Sequence, residues 1–167
     1  MFLYVPTARL ISMSVLSVGI YQAYWVYKNW RYLCDRDRLA IMPFWRGVFS
    51  VFFFYSLLKT IKNDPVTSRI RQAVYSPGLL ATGWVAAVVI ARACGRVPEL
   101  FVVALAFQTL SVCFLLPVHF HIQALNDSSS AHNDYVGWTV GHIVCAVFGA
   151  IAWVFIFLGI AVKISDS

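Results

Sequence analysis

From Tyr135 to Val162 the chain carries no formally charged side chain. That run is longer than the ~20 apolar residues an α-helix needs to cross the ~30 Å hydrocarbon core of a bilayer, and it constrains the fold more than any other stretch. Three further runs, Leu10–Tyr27, Leu79–Ala93 and Pro98 to about His121, approach the same length with few or no charges. Of the 167 residues 60% are hydrophobic and 12% charged, against the ~25% charge of an ordinary soluble domain. A soluble core of this size cannot hide so much apolar surface, whereas lipid can solvate it. The expected fold is an all-α integral membrane protein forming a single membrane domain over residues 1–167. It has four transmembrane helices, at about 8–30, 79–94, 98–121 and 136–163. An aromatic interfacial or re-entrant helix at about 43–61 and a short amphipathic helix at about 65–75 complete it.

The order of residues after the first run sets the orientation. Leu10–Tyr27 leads into Tyr21, Tyr24, Trp25, Tyr27, Trp30 and Tyr32, and then into Lys28, Arg31 and Arg36. Aromatic side chains favour headgroup depth and Lys and Arg favour the cytoplasmic side, so the chain is expected to leave the bilayer here on its basic face. Met1–Ile20 has only Arg9 ahead of its apolar residues and no small-residue cleavage site, and reads as a retained first span rather than a signal peptide. Ser12, Ser14, Ser17 and Gln22 make this span more polar than lipid requires and are expected to face other helices. Arg31 and Asp35, four apart, are placed to pair.

The next apolar piece, Pro43–Lys62, holds five of the 13 Phe, but its charge-free core, Gly47–Leu58, is only 12 residues long. As a helix that is about 18 Å, too short for the hydrocarbon core. A helix lying in the interface, or dipping in and returning, fits better than a fifth span. Nine of the 13 Lys and Arg then share the cytoplasmic face (Lys28, Arg31, Arg36, Arg38, Arg46, Lys59, Lys62, Arg69, Arg71), leaving Arg9, Arg92, Arg96 and Lys163 opposite. This arrangement places both termini outside the cytoplasm.

Helix ends and packing faces are also legible. Thr7 is expected to cap the first helix, Asp64 with Pro65 to open the amphipathic one, and Ser76-Pro77-Gly78 to break it. Gly83, Ala87, Ala91 and Gly95 recur every four residues and form a smooth face for close helix contact, as do Gly137, Gly141, Cys145 and Gly149 in the last span. Gly95 suits a left-handed residue after a helix end, which makes the second and third spans antiparallel neighbours. Pro117 is a potential bend in the third span.

Chemistry is sparsely signalled. The four cysteines have no CxxC spacing and form neither a disulfide framework nor a zinc site. His119, His121 and His142 could meet near one membrane face, but HxH at a helix end points two rings to different sides, and no acidic or thiol ligand supports them. No metal and no cofactor is expected. His142 is the least comfortable group in hydrocarbon and the best single buried polar candidate. Asp35 with Asp37, and Asp127 with Asp134, lie in polar loops. Ser128–Ser130 with His132 and Asp134 has the letters of a triad in a loop that cannot hold them in register. GxSxG, HExxH, P-loop, GxGxxG and calcium-loop patterns are absent from the sequence, as are nucleic-acid-binding motifs, so the net charge of +6 is read as topology and lipid attraction.

Gly19–Trp30, GIYQAYWVYKNW, resembles a domain-of-unknown-function family of small bacterial polytopic membrane proteins. Their first helix ends in a Gly-Ile-Tyr-x-x-Tyr-Trp-x-Tyr pattern followed by basic residues. Pro43–Lys59 is similar to the segment that follows. The resemblance covers about the first third of the chain and implies a bacterial cytoplasmic membrane location; it implies no activity. The function expected is non-enzymatic: helix–helix association with a membrane-protein partner, a second copy or anionic lipid. Trp25, Lys28, Trp30, Arg31, Phe44, Trp45 and Arg46 form the candidate recognition surface. Gly83, Ala87, Ala91, Gly141, Cys145 and Gly149 form the packing faces. The alternative is a small channel or transporter component in which His142 lines a polar path.

Overall fold

The computed structural model describes all residues except 1, 4, 40, 65–67, 69–72, 129–136, 138 and 166–167; for 128 and 160–165 it describes the backbone alone. Among the described residues every regular element is helical. In chain order these are α1 (Thr7–Leu16), α2 (Ile20–Asp37), α3 (Pro43–Val48), α4 (Ser50–Asn63) and α5 (Pro77–Cys94). A 3-10 turn at Pro98–Leu100 then leads into α6 (Phe101–Ser128), and α7 (Val140–Ser165) closes the series. Among the described residues, three stretches are long and apolar enough to cross a membrane: Pro77–Cys94, Pro98–Asp127 and Val140–Gly159.

α5 and α6 form an antiparallel pair joined by a tight turn. Ser76 opens α5, its hydroxyl accepting the Leu79 N–H, with Pro77 at the first helical position. The glycine-alanine face of α5 meets α6. A Cβ on Gly83 would sit 2.3 Å from the Phe114 ring, and Ala87 and Ala91 are buried. Gly95 is not the left-handed residue expected; its φ is −66° and its N–H bonds the Ala91 carbonyl. A Cβ added there would meet the Ala104 methyl of α6 at 3.8 Å, an ordinary contact. α6 runs through Pro117 and past His121 to Ser128.

The expected first span, 8–30, is not one helix. α1 stops at Leu16, and the chain passes through Val18 at φ 49° and Gly19 at φ 89° before α2 begins. The break is built locally: the Ser17 hydroxyl accepts the Tyr21 N–H at 2.8 Å, replacing a helical partner, and Gly19 takes the left-handed conformation that side chains resist. α2 then returns alongside α1. The Leu3 N–H donates to Asn29 Oδ1 at 3.2 Å, and the Arg36 guanidinium lies 6.0 Å from the Phe2 ring. Thr7 is the first residue of α1 rather than its cap, and its hydroxyl donates to Gln123 Oε1 instead.

The 43–61 element is likewise two helices. α3 runs antiparallel to α2, with Gly47 so close to Tyr27 that a Cβ would sit 2.5 Å from the tyrosine Cβ. The chain bends at Phe49, and α4 carries it back until Asp64 meets Arg36. Lys62 donates to the Tyr75 carbonyl and the Tyr75 hydroxyl to the Leu58 carbonyl, tying this end to the start of α5. The amphipathic helix expected at 65–75 lies outside the described residues apart from Ser68 and 73–75, as do residues 129–134 of the expected polar loop; Asn126 and Asp127 of that loop belong to α6 instead, and Asp35 and Asp37, also expected in a loop, end α2.

The core is where the two hairpins meet the long helices. Tyr21, Trp25, Phe54, Leu57, Leu58, Leu115 and Ile122 are fully enclosed. The Phe54 ring packs on Trp84 at 4.5 Å between centroids. The small-residue face of α7 covers the first hairpin. An added Cβ would meet the Tyr24 ring at Gly141 and the Leu16 carbonyl oxygen at Gly149, each at 2.3 Å, and Cys145 between them is buried. Gly137 has open space around it.

Candidate functional site

The break between α1 and α2 is half-buried at Val18 and Gly19, and its N–H groups bond carbonyls of the preceding turn. Four side chains supply a closed set of bonds beside it. Gln22 Nε2 donates to Ser111 Oγ at 2.7 Å, and Trp84 Nε1 donates to Gln22 Oε1 at 2.7 Å. The Ser111 hydroxyl donates to the Gln108 carbonyl at 2.6 Å, and the Gln108 amide reaches Ser111 at 3.4 Å. All four are buried. Gln108 also fills the space over Gly19, where a Cβ would lie 2.3 Å from its amide nitrogen. One cluster thus joins α2, α5 and α6 at the level of the turn.

Two cavities open next to this cluster. The larger, about 460 Å³, lies between the start of α2 (Gly19, Gln22), the α3–α4 bend (Val48, Ser50, Val51) and α5 (Trp84, Val88, Val89), with Arg92, Arg96 and Gln108 at one side. The smaller, about 380 Å³, shares Arg92, Arg96 and Gln108 and continues past Gly95 to Phe101 and Ala104. Neither is lined by an acidic side chain. Arg92 and Arg96 are exposed, and no ion pair to either occurs among the described residues. The walls are therefore mostly apolar and carry two cations and two amides, the mixture of a ligand site rather than of a packed core.

His142 occupies a separate position. The Thr139 N–H points at His142 Nδ1 at 3.2 Å, and Tyr21 Oη lies 3.1 Å from Nε2. With Nδ1 accepting, Nε2 holds the proton and donates to the tyrosine. The Thr139 hydroxyl also bonds Tyr24 at 3.0 Å, so these contacts pin the start of α7 to α2. His142 lines neither of the two cavities beside the amide cluster. The three histidines are not brought together. His121 stands edge-on to Tyr75, with 5.7 Å between ring centroids, and His119 is buried with neither ring nitrogen bonded among the described residues. No group of three or more potential metal ligands occurs among the described residues.

The expected recognition surface divides. Trp25 and Trp30 are buried, at 0% and 2% exposure, because α2 turns back into the bundle, and they are not available to lipid or partner. Arg46 stacks on Trp30 at 4.0 Å and on Phe53 at 5.1 Å, a cation held by two rings. Lys28 lies 5.7 Å from the Tyr24 ring. Arg31 is exposed, bonded to the Tyr27 hydroxyl at 3.5 Å and 3.8 Å from Asp35. Phe44 and Trp45 are exposed, joined by Phe49 and Phe52. Sequence reasoning missed the amide cluster and the Arg92–Arg96 cavities. The signal for the first was Gln22 and Gln108, two amides inside apolar runs.

A third, polar cavity of about 310 Å³ lies at the open end of the hairpins, among Arg36, Asp37, Lys59 and Asp64. Arg36 bonds both carboxylates. Its hydrogen bond to Asp37 holds the guanidinium above its ordinary pKa, against the opposing effect of burial and with help from Asp64. The same bond holds the Asp37 carboxyl below the usual carboxylate range. No family model matches this chain, and no curated protein or solved structure matches it either.

Proposed function

We propose that the chain is a non-enzymatic multi-pass protein of the bacterial cytoplasmic membrane that works by association, with anionic lipid as its first class of partner. In this reading α5, α6 and α7 span the bilayer, while the α1–α2 and α3–α4 hairpins enter from the basic face and return to it. The observation that carries the reading is the turn at Val18–Gly19, whose N–H groups bond the Val15 and Ser14 carbonyls and whose neighbours are the buried amides of α2 and α6. Irregular backbone at membrane depth is tolerated where protein surrounds it.

Charge supports the same topology. With α1 returning through α2, Arg9 joins Lys28, Arg31, Arg36, Arg38, Arg46, Lys59, Lys62, Arg69 and Arg71 on one side, leaving three of 13 cations, Arg92, Arg96 and Lys163, opposite. That split is steeper than the nine against four of a four-span arrangement, and it places the N-terminal segment on the cytoplasmic side. The exposed Phe44 and Trp45, at the start of α3, together with Arg31 and Lys59 then form an aromatic-basic layer suited to anionic headgroups.

Single cysteines in a background cleared of the native four give the test. An impermeant thiol reagent on intact cells is expected to modify Arg96→Cys and to spare Ala8→Cys and Lys62→Cys. Labelling of Ala8→Cys would restore the first span as a crossing helix. For function, purification in mild detergent is expected to retain anionic lipid. A stable monomer that shows no lipid preference removes the association reading.

A further inference from the structure

We propose that the paired cavities beneath Arg92 and Arg96 hold an anionic phospholipid from the leaflet opposite the basic face, its phosphodiester between the two guanidinium groups and an acyl chain against the valine wall. The site rests on the reading that α5 and α6 span the bilayer, and it assigns that reading a specific ligand and a place for it.

Three observations converge on it. The first is charge: the two arginines lie one turn apart at the end of α5, line both cavities, and have no ionic partner among the described residues. Guanidinium groups bind phosphate oxygens with paired, charge-assisted hydrogen bonds. The second is the wall below them: Val48, Val51, Trp84 and Val88 give a bare inorganic anion nothing to contact, whereas an acyl chain fills such a surface. The third is the field. Gly19 and Ile20 begin α2, Ser50 and Val51 begin α4, and all four line the larger cavity, so the positive ends of two helices face it and offset the negative end of α5, whose Arg92 and Ala93 line it too. A volume of about 460 Å³ lies within the range of ligand pockets.

The full chain in a neutral detergent, titrated with phosphatidylglycerol, phosphatidylcholine or inorganic phosphate and followed by native mass spectrometry and thermal melting, tests this. Phosphatidylglycerol is expected to persist as a one-to-one adduct and raise the melting temperature; phosphatidylcholine and phosphate are expected to do neither. Arg92→Gln with Arg96→Gln is expected to weaken the adduct by about tenfold or more, the effect of losing two charge-assisted contacts. Thr109→Val, on α6 and lining neither cavity, leaves it unchanged. Val88→Trp, which fills the wall and keeps both charges, is expected to weaken it as well, so a folding defect in the arginine variant does not decide the matter. Retention of phosphatidylglycerol at the parent's level by the double arginine variant and by Val88→Trp, equal binding of phosphatidylcholine, or displacement by millimolar phosphate alone overturns the proposal. Absence of the adduct while Arg96→Cys and Lys62→Cys label from opposite sides overturns the lipid site and leaves the topology standing.

Discussion

Two antiparallel helix pairs in this protein solve the same problem in opposite ways. α5 and α6 turn at Gly95–Val97, where the residues are exposed and local N–H to carbonyl bonds close the ends of the chain. α1 and α2 turn against the other helices, at a half-buried Val18–Gly19. There local N–H to carbonyl bonds also close the chain, but the backbone adopts positive φ at two successive residues, and α5 and α6 bring tryptophan and serine side chains to the buried Gln22 beside the turn. The first pair is held by a smooth glycine-alanine face and shape. The second is held by hydrogen bonds and by conformations that only its surroundings can maintain. The difference teaches that an apolar run of spanning length is not by itself a spanning helix; what lies at its middle decides.

The comparison breaks most visibly at the two glycines. Gly19→Val adds a branched side chain at φ 89° and into the Gln108 amide, and is expected to destabilise the protein by about 3 kcal/mol or more. Gly95→Ala, at φ −66°, is expected to stay within about 1 kcal/mol of the parent. Denaturation followed by tryptophan fluorescence in detergent reads both. A Gly19→Val protein that melts with the parent would show that the inward turn is not as tight as described.

The second test removes the bonds without touching the backbone. Gln22→Leu removes the acceptor of the Trp84 indole N–H and leaves Ser111 only its bonds to Gln108, and is expected to lower stability by about 1–3 kcal/mol. Thr109→Val, on the exposed side of α6 and bonded only to the preceding turn, is expected to change it by less than about 0.5 kcal/mol. Equal effects would mean that the buried amides are worth no more than a surface hydroxyl, and the contrast between the pairs would fall.

This contrast also explains what could be read in the chain. The α5–α6 pair was legible: Gly83, Ala87, Ala91 and Gly95 at fixed spacing, a Ser-Pro start and a Gly-Pro turn are local signals that tertiary contacts reinforce. The inward turn was not, because Ser17-Val18-Gly19 sits in a run with no charge and Val18 disfavours the conformation it adopts. Long-range packing against Gln108 and Gly149 outweighs that local preference. The buried Trp25 and Trp30 follow from the same miss. Aromatic residues at the end of a presumed span look like a headgroup collar, and only the return of α2 beside α1 makes them core. Phe44 and Trp45 remain exposed, since α3 lies outermost. Arg92 and Arg96 read as ordinary flanking charges until the α3–α4 bend and the start of α2 are seen to wall off the space beneath them.

Val18 offers a smaller effect of opposite sign. A β-branched residue at φ 49° is held away from its preferred regions, and Val18→Gly relieves that at the expense of greater freedom in the unfolded chain. The net expectation is a gain of up to about 1 kcal/mol. Loss of stability instead would place the weight of Val18 in its packing rather than in its backbone.

The smallest effect lies at the open end of the inner hairpin, where Arg36 binds Asp37 and Asp64. The Asp37 carboxyl is held below the usual carboxylate value by its hydrogen bond from Arg36. A carboxylate whose pKa is lower folded than unfolded contributes stability above its unfolded value, ~3.9, and that contribution is lost as pH falls through the folded value. Asp37 is exposed to water, which screens the pair, so the expected change is slight. Melting of the parent should fall more steeply between about pH 5 and about pH 3 than melting of Asp37→Asn, and the two should run parallel above that window. The α5–α6 turn has no such ion pair among the described residues, so Glu99→Gln should leave the acid limb as it is. If Glu99→Gln flattens the limb and Asp37→Asn does not, the acid sensitivity belongs to the outer pair, and the Arg36 cluster does not hold the hairpins at their base.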